Sequence, residues 1–292
     1  MFLQQLINGL ALGSTYALVA LGYSLVFGVL KIINFANGSL YMLGAYLTLT
    51  VSLAMNGHIV LAFILSVICT GIAGFFVDFI SLRKLRKDNA PRQSGIIATL
   101  GMATIIENVI QIWFGTETKR FPALMNLGKI HIGNAIISSA QILMFVVCIV
   151  VMLVFSFIVY KTKVGKSMRA VSQNMVTARL MGINVRLIIS ATFFAGGFMA
   201  AVAGTLVGAY YHCVDTTMAA SVGLKTFSAA VLGGVGNLPG ACIGGFIIGV
   251  AETMGATYIS STFRDGIPFI ILIAVLLFKP TGIFGKKTVE KM

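Results

Sequence analysis

Long apolar stretches broken by short polar segments dominate the chain. Charge-free runs cover residues 1–30, 32–77, 132–160, 187–214 and 226–251. Each exceeds the ~20 residues that cross ~30 Å of hydrocarbon at ~1.5 Å per residue. The pattern predicts helical spans at about 5–30, 34–55, 58–80, 94–114, 135–160, 187–211, 221–237, 239–258 and 264–279. Nine spans put the N-terminus outside and the C-terminus inside. The last is short and 221–237 also reads as re-entrant, so eight spans fit as well. The segments lack the period-2 alternation of a membrane β-barrel. The fold class is therefore all-α and polytopic, one transmembrane domain over residues 1–292.

Composition agrees. The 292 residues are 58% hydrophobic and 10% charged, against roughly 25% charged in a soluble protein. Met1 to Gln5 carries no basic residue and no small-residue cleavage site follows it, so the first segment reads as a retained helix. Cys69, Cys148 and Cys242 fall in apolar runs and Cys213 borders a loop, with no C-x-x-C pair. Neither a disulfide framework nor a metal site is expected.

The net charge of +13 reads as a topology signal rather than as a nucleic-acid footprint. Fifteen of the 21 basic residues lie in segments 81–93, 161–186 and 279–292, which are expected in the cytoplasm. The connections near 56–58, 212–220 and 259–266 have net charges of 0, −1 and 0 and go outside. Loop 115–134, with Lys119, Arg120 and Lys129 against Glu117, conflicts mildly with the outer position that topology requires.

An internal repeat is visible. Helix 5–30 leads through the polar break Ile33 to Ser39 into a Gly-containing helix and two spans. Helix 187–211 leads through His212 to Thr217 into a Gly-rich helix and two spans. On the charge topology these halves are inverted about a linking helix at 135–160. Interrupted segments at matching positions of inverted halves point to a translocation pathway. Most of the 32 glycines are expected at helix contacts, as in Gly9/Gly13, Gly204/Gly208, Gly240/Gly244 and Gly245/Gly249.

Ionisable groups inside spans are few and are functional candidates by default. Glu107, Lys225 and Glu252 are the principal ones, while Asp78 reads as a salt bridge or snorkelling carboxylate near Arg83. For Glu107 and Glu252, structural hydrogen bonding is the alternative. Asn34, Asn37 and Ser39 join the pathway candidates, because polar residues at a helix start can cap N–H groups and face a cavity. A simple interfacial loop explains them equally. His58, His131 and His212 fall in loops or at span ends, and no carboxylate–histidine chain offers a proton relay.

The stretch Lys161 to Arg186 holds six basic residues and no acid. Gly165-Lys166-Ser167 resembles the end of a phosphate-binding loop, but that pattern needs glycine where Tyr160 stands and a preceding strand. ATP binding by that route is excluded, and no catalytic motif suggests an enzyme. Met168, Val171, Met175 and Ala178 instead form an apolar stripe on one short helix, and Gly182 stands where a C-cap glycine belongs. Such a helix can lie on the lipid surface or seat in a partner's groove.

Three stretches carry a family resemblance: Asn8 to Tyr46, Arg169 to Val185 (RAVSQNMVTARLMGINV) and Gly223 to Glu252. The ending Phe278 to Lys287 (FKPTGIFGKK) adds to them. The chain resembles, over its full length, the permease subunit of branched-chain amino acid ABC importers of the Liv type, H-like rather than M-like. The resemblance implies a type II ABC importer fold and a place in the plasma (inner) membrane. It implies a second, M-like permease subunit, two ATPase subunits on which ATP is bound, and an extracytoplasmic substrate-binding protein. It implies no cofactor or nucleic acid on this chain. It further implies that Arg169, Ala170, Asn174, Ala178, Arg179 and Gly182 form the coupling region on the ATPases. The pathway residues Asn34, Asn37, Ser39, Glu107, Lys225 and Glu252 rest on the physical argument alone. A urea or short-chain amide importer of the same build is the nearer alternative, and an ion-coupled carrier or channel the more distant one.

Overall fold

The computed structural model describes residues 2–55, 58–88, 90–122, 129–132 and 135–285. Among the basic C-terminal residues, Lys286, Lys287 and Lys291 lie outside them. Each predicted span has its helix: α1 (Phe2–Leu30), α2 (Ala36–Ala54), α3 (Ile59–Val77), α5 (Arg92–Phe114), α6 (Ser139–Lys161), α9 (Val185–Tyr211), α10 (Met218–Gly233), α11 (Leu238–Tyr258) and α12 (Ile267–Phe278). α3 runs on through a π-helical turn, Asp78–Leu82, into α4 (Arg83–Lys87). Among the described residues, six helices are long and apolar enough to cross a membrane. α10, with 16 residues, and α12, with 12, reach only ~24 and ~18 Å.

Among helix starts, the sequence reading differs most from the structure at that of α6, and by three residues at those of α1, α10 and α12. Residues 135–138 are not helical: strand β3 (Ala135–Ser138) pairs antiparallel with β2 (Lys129–Ile132). α6 begins after Ser138 because Ser138 and Gln141 form a reciprocal capping box, which satisfies two N–H groups and fixes the helix start. A second small ladder ties β1 (Lys119–Arg120) to β4 (Cys213–Val214). It places part of the 115–134 loop beside the connection after α9, at the end opposite the 162–184 segment.

The packing repeats. α1 lies against α11 as α9 lies against α3, while α2 meets α5 as α10 meets α12. α1 and α9 touch at Gly22 and Gly196, and α2 and α10 at Gly38 and Gly223. Gln141 at the start of α6 bonds both Asn8 in the first turns of α1 and Tyr210 in the last turn of α9, so those helices run antiparallel. Two halves, α1–α5 and α9–α12, are thus inverted about α6, as the repeat predicts.

Small residues make these contacts possible. Gly9 and Gly13 face Gly249, Val250 and Phe246, and Gly245 faces Ala17. Gly204 faces the Tyr41 carbonyl, and Gly240 and Gly244 face Gly233 and Ala229. In lipid, dispersion between close backbones replaces the hydrophobic drive that water provides. A β-carbon at Gly204 or Gly245 would overlap the facing backbone.

Candidate functional site

The basic segment after α6 is two helices rather than one. Thr162 caps α7 (Lys163–Gln173) through the Gly165 N–H. Asn174 then leaves the helical region (φ −156°, ψ 115°) and its Oδ1 accepts from Val176 and Thr177 N–H, starting α8 (Met175–Leu180). A cap at Asn174 competes with continuing the helix, which the apolar spacing alone does not reveal. The chain ends α8 as predicted: Gly182, at φ +81°, donates to Arg179 O while Ile183 donates to Ala178 O. That pair of bonds needs a left-handed residue, which glycine supplies without strain.

The predicted apolar stripe faces inward. Met168, Val171 and Ala178 are buried against the helices of this chain, so Ala178 seats the segment and is not on its outer face. The outer face carries exposed Val176, Leu180 and Met181, with Asn174, Arg179 and Gly182 also exposed and Ala170 half-buried. Arg169 is exposed, yet its Nη1 donates to Val159 O, a carbonyl in the last turn of α6. It therefore braces α7 on α6. Arg83, Arg179 and Arg186 border one cavity, and Ile283 N–H bonds Leu232 O. The described parts of the three basic segments accordingly gather at one end of the bundle.

Asp78 is buried and pairs with Arg86 at 2.5 Å and with Ser190 Oγ at 2.6 Å. The nearby Arg83 lies instead over the Phe79 ring, 4.9 Å from its centre. The salt-bridge reading holds with a different partner.

The polar break is inside the bundle. Asn34 and Asn37 are buried. Asn34 Oδ1 accepts from Ala36 N–H at the start of α2, and Asn37 Nδ2 donates to Val19 O of α1. α2 thus begins well inside the C-terminal end of α1, beside the first turns of α10. Ser39 Oγ donates to Glu107 Oε1 at 2.8 Å, which joins two candidates across α2 and α5. The break is not an interfacial loop.

Lys225 and Glu252 form the other pair. Lys225 Nζ lies 2.9 Å from Glu252 Oε1 and 2.6 Å from Asp265 Oδ1. Arg264 Nε donates to the same Glu252 oxygen at 2.9 Å, and its Nη2 donates to Tyr211 Oη. Beside Lys225, the Asp265 carboxyl is held below its ordinary range, first by the hydrogen bond and then by the ammonium charge. This cluster borders a cavity of about 400 Å³. The pathway candidates therefore fall into two groups on the two halves: Asn34, Asn37, Ser39 and Glu107 around α2, and Lys225 with Glu252 between α10 and α11.

Residues 5–276 match the family described as branched-chain amino acid transport system, permease component. The chain belongs to this family. Its relatives include the high-affinity branched-chain amino acid transport system permease protein BraD of Pseudomonas aeruginosa, 38% identical with 100% of this chain and 98% of BraD covered. The corresponding LivH of Escherichia coli K12 is 36% identical over the same shares. A probable LivH of Methanocaldococcus jannaschii is 31% identical over 92% of this chain and 88% of that protein. The protein is a multi-pass membrane permease component, and its family is one of transport proteins rather than enzymes.

Two members of this permease's charged cluster were not picked out from the sequence. Arg264 and Asp265 stand in a connection of zero net charge and read as an outer loop. A signal was present: Lys225 and Glu252 sit in apolar helices and need partners, and an adjacent Arg-Asp pair flanks the helix that follows. Tyr41 and Tyr211, which also border the cavity, give no sequence signal of their own.

Proposed function

We propose that this chain is the membrane-spanning permease subunit of an ATP-binding cassette importer for branched-chain amino acids. The end-to-end likeness to BraD and LivH carries the reading. The α7–α8 segment supports it, since a capped, braced pair of short helices presents Val176, Arg179, Leu180 and Met181 outward. ATP is hydrolysed on two separate subunits that contact this face. A second permease chain completes the pathway, and an external binding protein delivers substrate. The end with α7 and α8 faces the cytoplasm, in keeping with its basic residues.

Arg169 and Gly182 position the segment, while Arg179, Leu180 and Met181 make the contact. Motion of that contact tilts α6 and α9, between which the segment is strung, and opens the pathway alternately to each side. Reconstitution of the permease with its ATPases and binding protein tests the reading. Uptake of labelled leucine, dependent on ATP and exceeding that of urea, is expected. Uptake without ATP, or of urea alone, would overturn it.

A further inference from the structure

The mixed-charge cavity near the N-terminal end of α10 has the chemistry of a receptor for a free amino acid. Its polar wall holds two cations, Lys225 and Arg264, and three carboxylates, Asp215, Glu252 and Asp265. Asp215 caps the start of α10 through Thr217 and Met218 N–H. Glu252 is fully buried, and both its cationic neighbours bond a single oxygen, Oε1. Its Oε2 has no partner among the described residues, and neither has the buried Tyr41 Oη. Leaving such acceptors dry costs free energy, and more when the group is charged.

Arg264 spends Nε and Nη2 on Glu252 and Tyr211, which leaves Nη1 for an incoming acceptor. Leu12, Val207, Met218 and Val222 provide the apolar wall. At about 400 Å³ the cavity falls within the ~300–1,000 Å³ typical of small-molecule sites.

We infer that this cavity is a transit site for an α-amino acid zwitterion within this chain. Glu252 Oε2 and Tyr41 Oη accept from its ammonium group, Arg264 Nη1 donates to its carboxylate, and the apolar wall takes its side chain. The inference rests on the import reading above and names where that cargo is recognised in the membrane. A neutral amide such as urea carries neither the positive charge for Glu252 nor the negative charge for Arg264, and so forms only the weaker, singly charged hydrogen bonds. A fatty acid lacks the donor for Glu252, and an amine lacks the acceptor for Arg264.

Cys213 borders the same cavity and is partly exposed, so it reports occupancy. Membrane vesicles containing the whole transporter are treated with a small, membrane-permeant thiol reagent. Cys213 modification is then followed by peptide mass spectrometry. Leucine is expected to slow it, whereas leucinamide, 4-methylpentanoate and urea at equal concentration leave it unchanged. E252Q keeps the shape but removes the charge, and should weaken protection by about tenfold or more, the loss of a hydrogen bond to a charged group. Y41F, a milder change, should weaken it by a smaller factor and serves where E252Q fails to accumulate in the membrane.

Leucine uptake is measured on the same vesicles. Uptake with unprotected Cys213, or equal protection by 4-methylpentanoate, would overturn the site and leave the import reading standing. Protection without any ATP-dependent uptake would uphold the site and overturn the import reading.

Discussion

Lys225 Nζ and Arg264 Nε converge on one oxygen of Glu252, each at 2.9 Å, inside a bundle where Glu252 has no exposed surface. Removing the carboxylate leaves the buried Lys225 ammonium, among the described residues, with only the exposed Asp265 as partner. E252A should therefore lower stability by about 3–5 kcal/mol, the usual result of breaking a buried pair from one side. K225M with E252M should cost less than E252A alone, because the buried ammonium goes with its partner and Arg264, which also loses Glu252, is 37% exposed and keeps Tyr211. Thermal unfolding in detergent, read by loss of the monodisperse peak, checks both. A double variant less stable than E252A would refute the pairing argument.

Glycine positions separate into contacts and open surface. Gly204 faces the Tyr41 carbonyl, whereas among the described residues no atom outside Gly101's own stretch of helix lies within 4 Å of a β-carbon placed there. G204A should cost at least about 1–3 kcal/mol by overpacking. G101A should be neutral or slightly stabilising, because alanine restricts the unfolded chain more than glycine does. Equal melting temperatures for the two variants would contradict the close α2–α9 approach.

The helices were legible because apolar length is a direct consequence of the bilayer. The inverted repeat was legible because its polar breaks fall at matching places. Tertiary charge partners were not. Asp78 pairs with Arg86 across the π-helical turn rather than with Arg83, and an inserted π turn shifts which residues share a face. Ser138 delays the start of α6 by capping, a local bond that hydropathy averages away. Asn174 split the helix of the basic segment for the same reason. The apolar stripe there was read correctly as a stripe, but its partner is this chain's own core.

In the α7–α8 segment, the residues proposed to touch the ATPases are separate from those that brace it. Leu180 is 82% and Met181 80% exposed, so L180E with M181E should change stability within the usual ±0.5 kcal/mol of a surface site. ATP hydrolysis stimulated by the loaded binding protein should nevertheless fall by about tenfold or more, as for a buried apolar contact worth over ~1.4 kcal/mol. R169E should lower both stability and hydrolysis, since it takes the guanidinium from Val159 O. Measuring melting and stimulated hydrolysis on the same preparations decides the matter. Unchanged hydrolysis in L180E/M181E would remove this face as the contact.

Asp265 gives the charged cluster a pH signature. Its carboxyl is held below the ordinary 3.8, chiefly by the hydrogen bond from Lys225. A depressed carboxyl contributes stability that is fully present above the unfolded value and disappears as pH falls through the folded value. D265N should therefore melt below the wild type at neutral pH. The gap should hold down to about pH 4, close below it, and vanish once Asp265 is protonated in both states. The effect should be small, because 74% of the Asp265 side chain is exposed and water screens the pair. Melting curves of both proteins between about pH 7 and pH 3 provide the measurement. A gap that widens toward low pH would mean that protonation strengthens the Asp265 contact, which is incompatible with an ion pair to Lys225.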